Sequence, residues 1–353
     1  MNTRISPASS LQITPLEERR LFEVLQFLAG VFGPDTPAEL LDARAAHWKY
    51  FEPYPGWEGA RSYVVDQADA IVAHASLWPT VFTCSIDAVR CGHILDWAGS
   101  RSAPGAGTAI YQHLMGLGDA AFVVGGSDQA KRLLPRMGFR LYGQQAFYAR
   151  VVRPWKQFQS RPRSSLAREL ARLARNTIWS IGNVRWPQGW TVTPPAKAPD
   201  DIDSTWQPQS FCRGRRSSAL VNYLLGCPVA VNQLHQIRHN GRNMGYFMLN
   251  SFGGQCRIVD LFLESEDRQA WQAAYQVAFL TAARIPGTCE VSAVASLPWL
   301  GSILAGLGFK LRQEKPIFLH DPKKRCAGLP PFLIQMVDSD AFFLHSPFYP
   351  FLT

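Results

Sequence analysis

The sequence predicts an α/β protein with mixed, mostly antiparallel sheets, arranged as two related domains. Its 353 residues exceed the roughly 250 at which a single hydrophobic core stops growing, which favours two domains. Short apolar runs alternate with segments of helical periodicity, as in α/β folds. The order of these patterns also recurs along the chain, which indicates a duplicated unit, with chance recurrence as the alternative.

The first half reads as helices followed by strands around one glycine-rich loop. The apolar spacing predicts the helices, and the short apolar runs between turn residues predict the strands. Helices are expected over residues 15–33, 37–50, 108–117 and 128–137, and strands over 63–75 (two, around a turn), 92–98, 120–124 and 140–152.

The second half repeats this order after a basic linker. CRIVDLFLES at 256–265 matches CGHILDWAGS at 91–100, and LAGLGFKL at 304–311 matches LPRMGFRL at 134–141. The linker is rich in Pro, Arg and Trp and contains one predicted helix over 164–179. We therefore expect domains at 1–152 and 204–353, joined by a linker at 153–203.

The composition excludes several classes of protein. At 47% hydrophobic and 18% charged residues the chain is globular, and no run of about 18 uncharged apolar residues predicts a membrane span. Residues 1–14 are polar and lack the apolar core of a signal peptide. Seven scattered cysteines without metal-ligand spacing indicate reduced, buried thiols, no metal site and a cytoplasmic protein.

The loop 102–108, SAPGAGT, carries the chemistry of the first half. Glycines allow the backbone to approach a ligand closely, and a helix N-terminus offers unpaired amides with partial positive charge. Together they form a cradle for a pyrophosphate, with the amides of Gly105, Ala106, Gly107 and Thr108 as donors and Arg101 adding a charged contact. A tight strand-to-helix turn explains the same pattern equally well, and no Gly-Lys-Ser/Thr follows to make it a Walker loop.

The run 91–150 resembles the core of the GNAT superfamily, the GCN5-related N-acetyltransferases. Members have a strand, a loop Arg/Gln-x-x-Gly-x-Gly/Ala, a helix, a second strand, a short helix and a Gly-Phe pair. SAPGAG supplies both glycines and MGF at 137–139 supplies the pair, while Ser102 stands at the Arg/Gln place. The resemblance covers most of residues 45–152 and, more faintly, 205–320, as in tandem-domain acyltransferases associated with bacterial cell-surface polysaccharides.

The resemblance implies an N-acyltransferase that uses acetyl-CoA or another acyl-CoA. The pantetheine arm would pair with Trp97, Ala98 and Gly99, and the phosphates would meet the loop from Arg101 and Ser102 to Thr108. The acceptor would be a small-molecule or glycan amine, such as an amino sugar of a cell-surface polysaccharide. The alternatives are a transferase of the peptidoglycan-bridge type that uses aminoacyl-tRNA, and a non-catalytic binding or scaffold protein of the same fold.

Proton transfer has several candidate residues. An ammonium must lose a proton before it attacks the thioester, and the leaving sulfur can accept one. Asp96 is the first candidate base and His93 the second, although either side chain in a strand can be purely structural. The family often has a Tyr acid where this chain has Leu134, so Tyr111, Tyr142 and Tyr148 are the candidate substitutes, with packing as the alternative for each.

The second half and the linker differ chemically from the first domain. Acidic residues replace the glycines at 264–267, so we expect no CoA site there. Residues 150–190 contain nine Lys or Arg and one acid, which suits a solvated helix, an anionic membrane surface or a glycan. Nucleic acid is not expected, and the location would be cytoplasmic or peripheral to the inner membrane face. If the C-terminal run is a strand, Asp338 and Asp340 share one of its faces. That strand is expected to pack on the second half, with an acceptor-binding pair of acids as the alternative.

Overall fold

The computed structural model describes residues 11–34, 36, 38–84, 87–160, 165–195, 197–198, 202, 206–345 and 351–353. These residues form one mixed sheet and surrounding helices. The strands are β1 (Gln12–Pro15), β2 (Ser62–Gln67), β3 (Ala70–Cys84), β4 (Asp87–Gly99), β5 (Ala120–Val124), β6 (Arg140–Val151), β7 (Trp190–Thr193), β8 (Cys212–Gly214), β9 (Val231–His239), β10 (Arg242–Phe252), β11 (Gln255–Leu263), β12 (Glu290–Ala295), β13 (Lys310–His320) and β14 (Phe332–Leu333).

The helices cover the sheet and connect its parallel strands. They are α1 (Leu21–Phe32), α2 (Ala38–Leu41), α3 (Ala43–Tyr50), α4 (Ala106–Met115), α5 (Asp128–Leu133), α6 (Pro154–Gln159), α7 (Leu166–Ser180), α8 (Ser218–Leu225), α9 (Arg268–Arg284) and α10 (Pro298–Gly306). No helix in the described ranges is both long enough and apolar enough to cross a bilayer.

The strand order confirms the predicted fold class and shows the repeat of elements. The main path is β1-β2-β3-β4-β5-β13-β6-β12-β11-β10-β9-β7, with β8 and β14 beside it. Each half contains a parallel pair joined by a helix, β4-α4-β5 in the first and β11-α9-β12 in the second. Antiparallel strands flank both pairs.

The two halves exchange their closing strands. β6 belongs to the first half by sequence but pairs with β12, and β13 of the second half pairs with β5. β6 and β13 also pair with each other, so one sheet runs through both halves. The division into domains at 1–152 and 204–353 stays a prediction.

A shared core lies between the halves. One buried cluster combines Trp78 of β3 and Leu95 of β4 with Met248 of β10 and Phe342 near the C-terminus. A second cluster packs α4 against the first half, and a third packs α9 against the second. Burial across the two halves therefore holds the sheet together.

Several element boundaries differ from the expected ones for local reasons. The first helix begins at Leu21 rather than residue 15, because residues 12–15 pair with β2. The second is interrupted at Asp42, whose carboxylate accepts the first free amides of α3. The linker helix is α7, with Ser165 at its N-cap, while Ser164 lies outside the described residues.

The expected terminal strand does not extend to Asp338 and Asp340, because it ends at Leu333 with β14. Residues Met336–Asp338 and Asp340–Phe342 form two short 3₁₀ helices instead. The cause is local capping. The Gln335 side chain accepts the backbone amide of Asp338, and the Asp338 carboxylate accepts the backbone amide of Gln335. Asp338 and Asp340 therefore do not share the face of a strand.

Candidate active site

A cleft opens where β4 and β5 separate. Their parallel pairing covers only Cys91, Gly92 and His93 of β4, which then continues to Gly99 paired with β3 on its other edge. The separation coincides with a bulge, since Asp96 has φ 50° and the pairing of β3 with β4 shifts at this point. The resulting cleft has a volume of about 730 Å³.

Most of the cleft wall comes from the free end of β4, the glycine loop, α4, β5 and the turn after β5. Two other segments close it, the end of α1 with the residues after it and the C-terminal segment. From the predicted donor site the wall includes Trp97, Ala98, Gly99, Gly105, Gly107 and Thr108, and from the predicted catalytic set it includes His93, Asp96 and Tyr111.

The glycine loop presents unpaired amides at the start of α4. Gly105 occupies the N-cap with φ 92°, and no side chain caps the helix. Within the described ranges, no protein acceptor meets the amides of Gly105, Gly107 and Thr108. The Ala106 amide differs from the expectation, because it donates to the Ala103 carbonyl at 3.2 Å. Three of the four expected donors thus remain for a ligand.

The close approach of β4 to α4 favours glycine at position 99. A Cβ there would lie 3.2 Å from the Cα of Gly107, which is tighter than an ordinary side-chain contact. The Trp97 indole N–H donates to the Gly107 carbonyl at 2.7 Å and fixes the helix to the strand. Arg101 and Ser102 are exposed beside the loop and do not form part of the cleft wall.

Asp96 lies in a buried ion pair. Lys49 meets its carboxylate at 2.5 Å, and the hydroxyls of Tyr50 and Ser76 donate to it at 2.7 and 3.2 Å. Burial is the largest influence and would raise the pKa of Asp96, but the Lys49 charge and the hydrogen bonds from Lys49 and Tyr50 together hold the pKa below its usual value. The carboxylate is therefore ionised, with these three contacts all at Oδ2, and its role as a base stays a prediction.

His93 is a neutral imidazole at the closed end of the cleft. It is 1% exposed, and burial lowers its pKa to about 4. Its Nε2 accepts the Val124 amide at 3.1 Å, so the ring proton is assigned to Nδ1, which has no partner in the described residues. This geometry suits a hydrogen-bond donor better than a base.

The tyrosines divide between the cleft and the core. The Tyr111 hydroxyl has no partner in the described part of the chain, and its ring packs 4.4 Å from Trp97. Burial raises the pKa of Tyr111, so the hydroxyl stays protonated near neutral pH. Tyr142 instead accepts the Phe332 amide at 2.9 Å, which is a structural contact.

The C-terminal segment brings one of its two acids to the cleft. Asp340 and Leu344 line the wall that also contains His93. Asp338, by contrast, is buried against Arg216 at 2.8 Å. No pattern in the sequence distinguishes the two acids, because the ion pair that buries Asp338 joins residues far apart in the chain.

In the second half, the chain itself occupies the corresponding groove. Pairing of β11 with β12 ends at Ile258, and Gln335 then bonds both the amide and the carbonyl of Leu261 at 2.8 and 3.0 Å. On the other side, Ser296 bonds the Ile334 amide at 2.8 Å. The strand edge that is free in the first half is thus satisfied by residues 332–335 in the second.

The fold has relatives among solved structures. A GCN5-related N-acetyltransferase from Anabaena variabilis is 13% identical, with a TM-score of 0.56, and the match covers 88% of this chain and 72% of that one. A conserved protein of Enterococcus faecalis, described as a probable N-acyltransferase, is 12% identical with a TM-score of 0.54 and the same coverage. The fold is the GNAT fold.

A third solved structure agrees. The GCN5-related N-acetyltransferase from Kribbella flavida is 14% identical, with a TM-score of 0.51, and the match covers 88% of this chain and 71% of that one. No family model matches the chain, and no curated protein matches it. At these identities the likeness to GNAT proteins describes the fold, and the chemistry is argued from the cleft.

Proposed function

We propose that the protein is an acyl-CoA-dependent N-acyltransferase, most simply an N-acetyltransferase. The observation that carries this proposal is the open cleft of the first half, which has unpaired amides at one end and a free strand edge along its length. The GNAT neighbours support the same interpretation.

The donor fits the cleft by charge and by hydrogen bonding. Anionic phosphates bind at the amides of Gly105, Gly107 and Thr108, where the partial positive charge of α4 favours them. The amides and carbonyls of a pantetheine arm extend the sheet along Trp97 to Gly99, because β5 has already separated from β4. The thioester then lies toward His93, where the two strands meet.

The acceptor side supplies the proton chemistry. An amine arrives as an ammonium, and the Asp340 carboxylate takes one proton from it. The freed nitrogen attacks the thioester carbonyl carbon, and the Nδ1–H of His93 donates to the developing oxyanion. As the new C–N bond forms the C–S bond breaks, the second proton passes from nitrogen to sulfur, and Tyr111 is the hydroxyl placed to relay it.

The lining indicates the class of acceptor. Apolar side chains of Val31, Phe32, Leu40 and Leu344 line the same cleft as Asp340. An acid in a mainly apolar cleft suits a primary amine whose remaining part is partly apolar, such as a small-molecule amine or an amino sugar. An amino sugar of a cell-surface polysaccharide remains the acceptor that we propose to test first.

The test is release of free thiol from acetyl-CoA with a panel of amines, including amino sugars. We expect turnover with at least one amine, and its loss in Gly107→Glu, where an added carboxylate opposes the phosphates. Gly306→Glu is the matched control, because Gly306 is exposed near the end of α10 and a Cβ added there would meet nothing within 4 Å. The proposal would be contradicted if the wild type released no thiol with any amine. It would also be contradicted if charged tRNA, rather than acetyl-CoA, protected the protein from heat.

A further inference from the structure

Helix α7 is turned with its apolar side toward solvent. Leu166, Leu170 and Ile178 are 72%, 50% and 66% exposed, and Ile181 at the C-cap is 75% exposed. On a helical wheel these residues and the exposed alanines between them share one continuous face. A surface helix ordinarily buries its apolar face against the protein. The apolar face of α7 is instead exposed, which indicates a binding surface for a partner.

The opposite, polar side of α7 attaches the helix to the protein. Glu169 and Asn176 are the buried residues of the helix, at 6% and 2% exposure. Asn176 donates to Gln157 of α6 at 2.8 Å, and Gln157 in turn donates to Glu290 of β12 at 3.3 Å. Because these polar contacts fix the helix, its apolar face cannot turn inward without breaking them.

We infer that this apolar face of α7 docks on a bilayer that contains anionic phospholipid. Arg168 is exposed along one edge of the apolar face. Arg175 follows on the same edge seven residues later, but it is half-buried and its guanidinium donates to Asn176 at 2.9 Å. Lys156 and Arg185, in the neighbouring segments, are also exposed. In an interfacial helix, apolar residues enter the boundary of the acyl chains, and arginines beside them contact the lipid phosphates.

Charge favours a membrane over a second copy of the chain. Two copies that met through α7 would bring their arginine edges together, and the one acid of the segment, Glu169, is buried and already paired with Arg172 at 2.9 Å. The net charge of +9 adds to this repulsion. A bilayer with anionic headgroups instead supplies the opposite charge.

The experiment is co-sedimentation with phosphatidylcholine vesicles, with and without phosphatidylglycerol. We expect binding to the anionic vesicles and at least tenfold weaker binding to the neutral ones. Leu170→Glu/Ile178→Glu should reduce binding at least tenfold, since both side chains lose burial and repel the lipid. Arg168→Gln should reduce it about fivefold, and added salt should weaken the wild type further.

The control substitutions are Leu141→Glu/Val231→Glu, which change two apolar residues that are 60% and 63% exposed elsewhere. We expect them to leave vesicle binding unchanged, with all variants folded by circular dichroism. Equal binding to neutral and anionic vesicles, or no binding at all, would overturn the inference. So would a dimer in light scattering that becomes monomeric in Leu170→Glu/Ile178→Glu, because α7 would then join two copies.

Discussion

Replacing Asp96 with Asn separates the structural role of this residue from a catalytic one. Asp96 and Lys49 are 5% and 4% exposed and 2.5 Å apart, so the substitution leaves a buried ammonium without its counter-ion. Removing one partner of such a pair costs about 3–5 kcal/mol, a large part of a typical folding free energy of about 5–15 kcal/mol. Asn tolerates the positive φ at this position better than other residues, so the change reports mainly on charge.

The magnitude can be isolated with a double-mutant cycle. The four proteins are the wild type, Asp96→Asn, Lys49→Met and Lys49→Met/Asp96→Asn, compared by their free energies of unfolding in urea. We expect Asp96→Asn to lose about 3 kcal/mol, and the double variant to lose at least about 2 kcal/mol less than the sum of the single losses. Additivity within about 0.5 kcal/mol would refute the argument that this pair is coupled.

The same variant tests the base hypothesis. If Asp96 accepts the ammonium proton, the folded Asp96→Asn protein should lose about 10²–10⁴-fold in turnover while acetyl-CoA binding changes little. Turnover equal to the wild type after correction for the folded fraction would assign Asp96 to structure alone.

The remaining predictions concern the acceptor acid, acid stability and the closed groove. Asp340→Asn should lower kcat/KM for the amine by about 10²–10⁴ with unchanged acetyl-CoA affinity, and an unaltered kcat/KM would exclude Asp340 from proton transfer. Burial lowers the pKa of both His74 and His93 to about 4, so the unfolded chain binds more protons below pH 6.5. These two histidines alone should lower stability by up to about 2.7 kcal/mol per pH unit between pH 6.5 and 4, and a melting temperature that is flat over this range would contradict it. Gln335→Ala should cost about 1–3 kcal/mol in urea unfolding, because the buried Leu261 amide loses its acceptor, and a loss below about 0.5 kcal/mol would speak against the filled groove.

Local patterns predicted much of the first half. Strand β5 and the start of β6 occur where the sequence indicated them, because they are apolar runs bounded by turn residues. The loop before α4 was identifiable because glycine spacing and a helix start are encoded within a few residues. The repeat of elements in the second half was visible for the same reason.

Long-range pairings could not be predicted in this way. The exchange of β6 and β13 depends on contacts between halves, and a strand pattern does not specify its neighbour. Asp96 meets a lysine 47 residues earlier, and Asp340 reaches the cleft only through the fold of the last segment. The hydrogen bonds that fill the second groove likewise join residues about 75 apart in sequence.

Calorimetric titration with acetyl-CoA tests the central claim most directly. The unpaired amides of Gly105, Gly107 and Thr108 predict binding of one acetyl-CoA per chain, because the second groove is occupied by residues 332–335. Affinity should disappear in Gly107→Glu and persist in Gly306→Glu. Two bound molecules per chain, no heat of binding, or undiminished affinity in Gly107→Glu would contradict this account of the cleft.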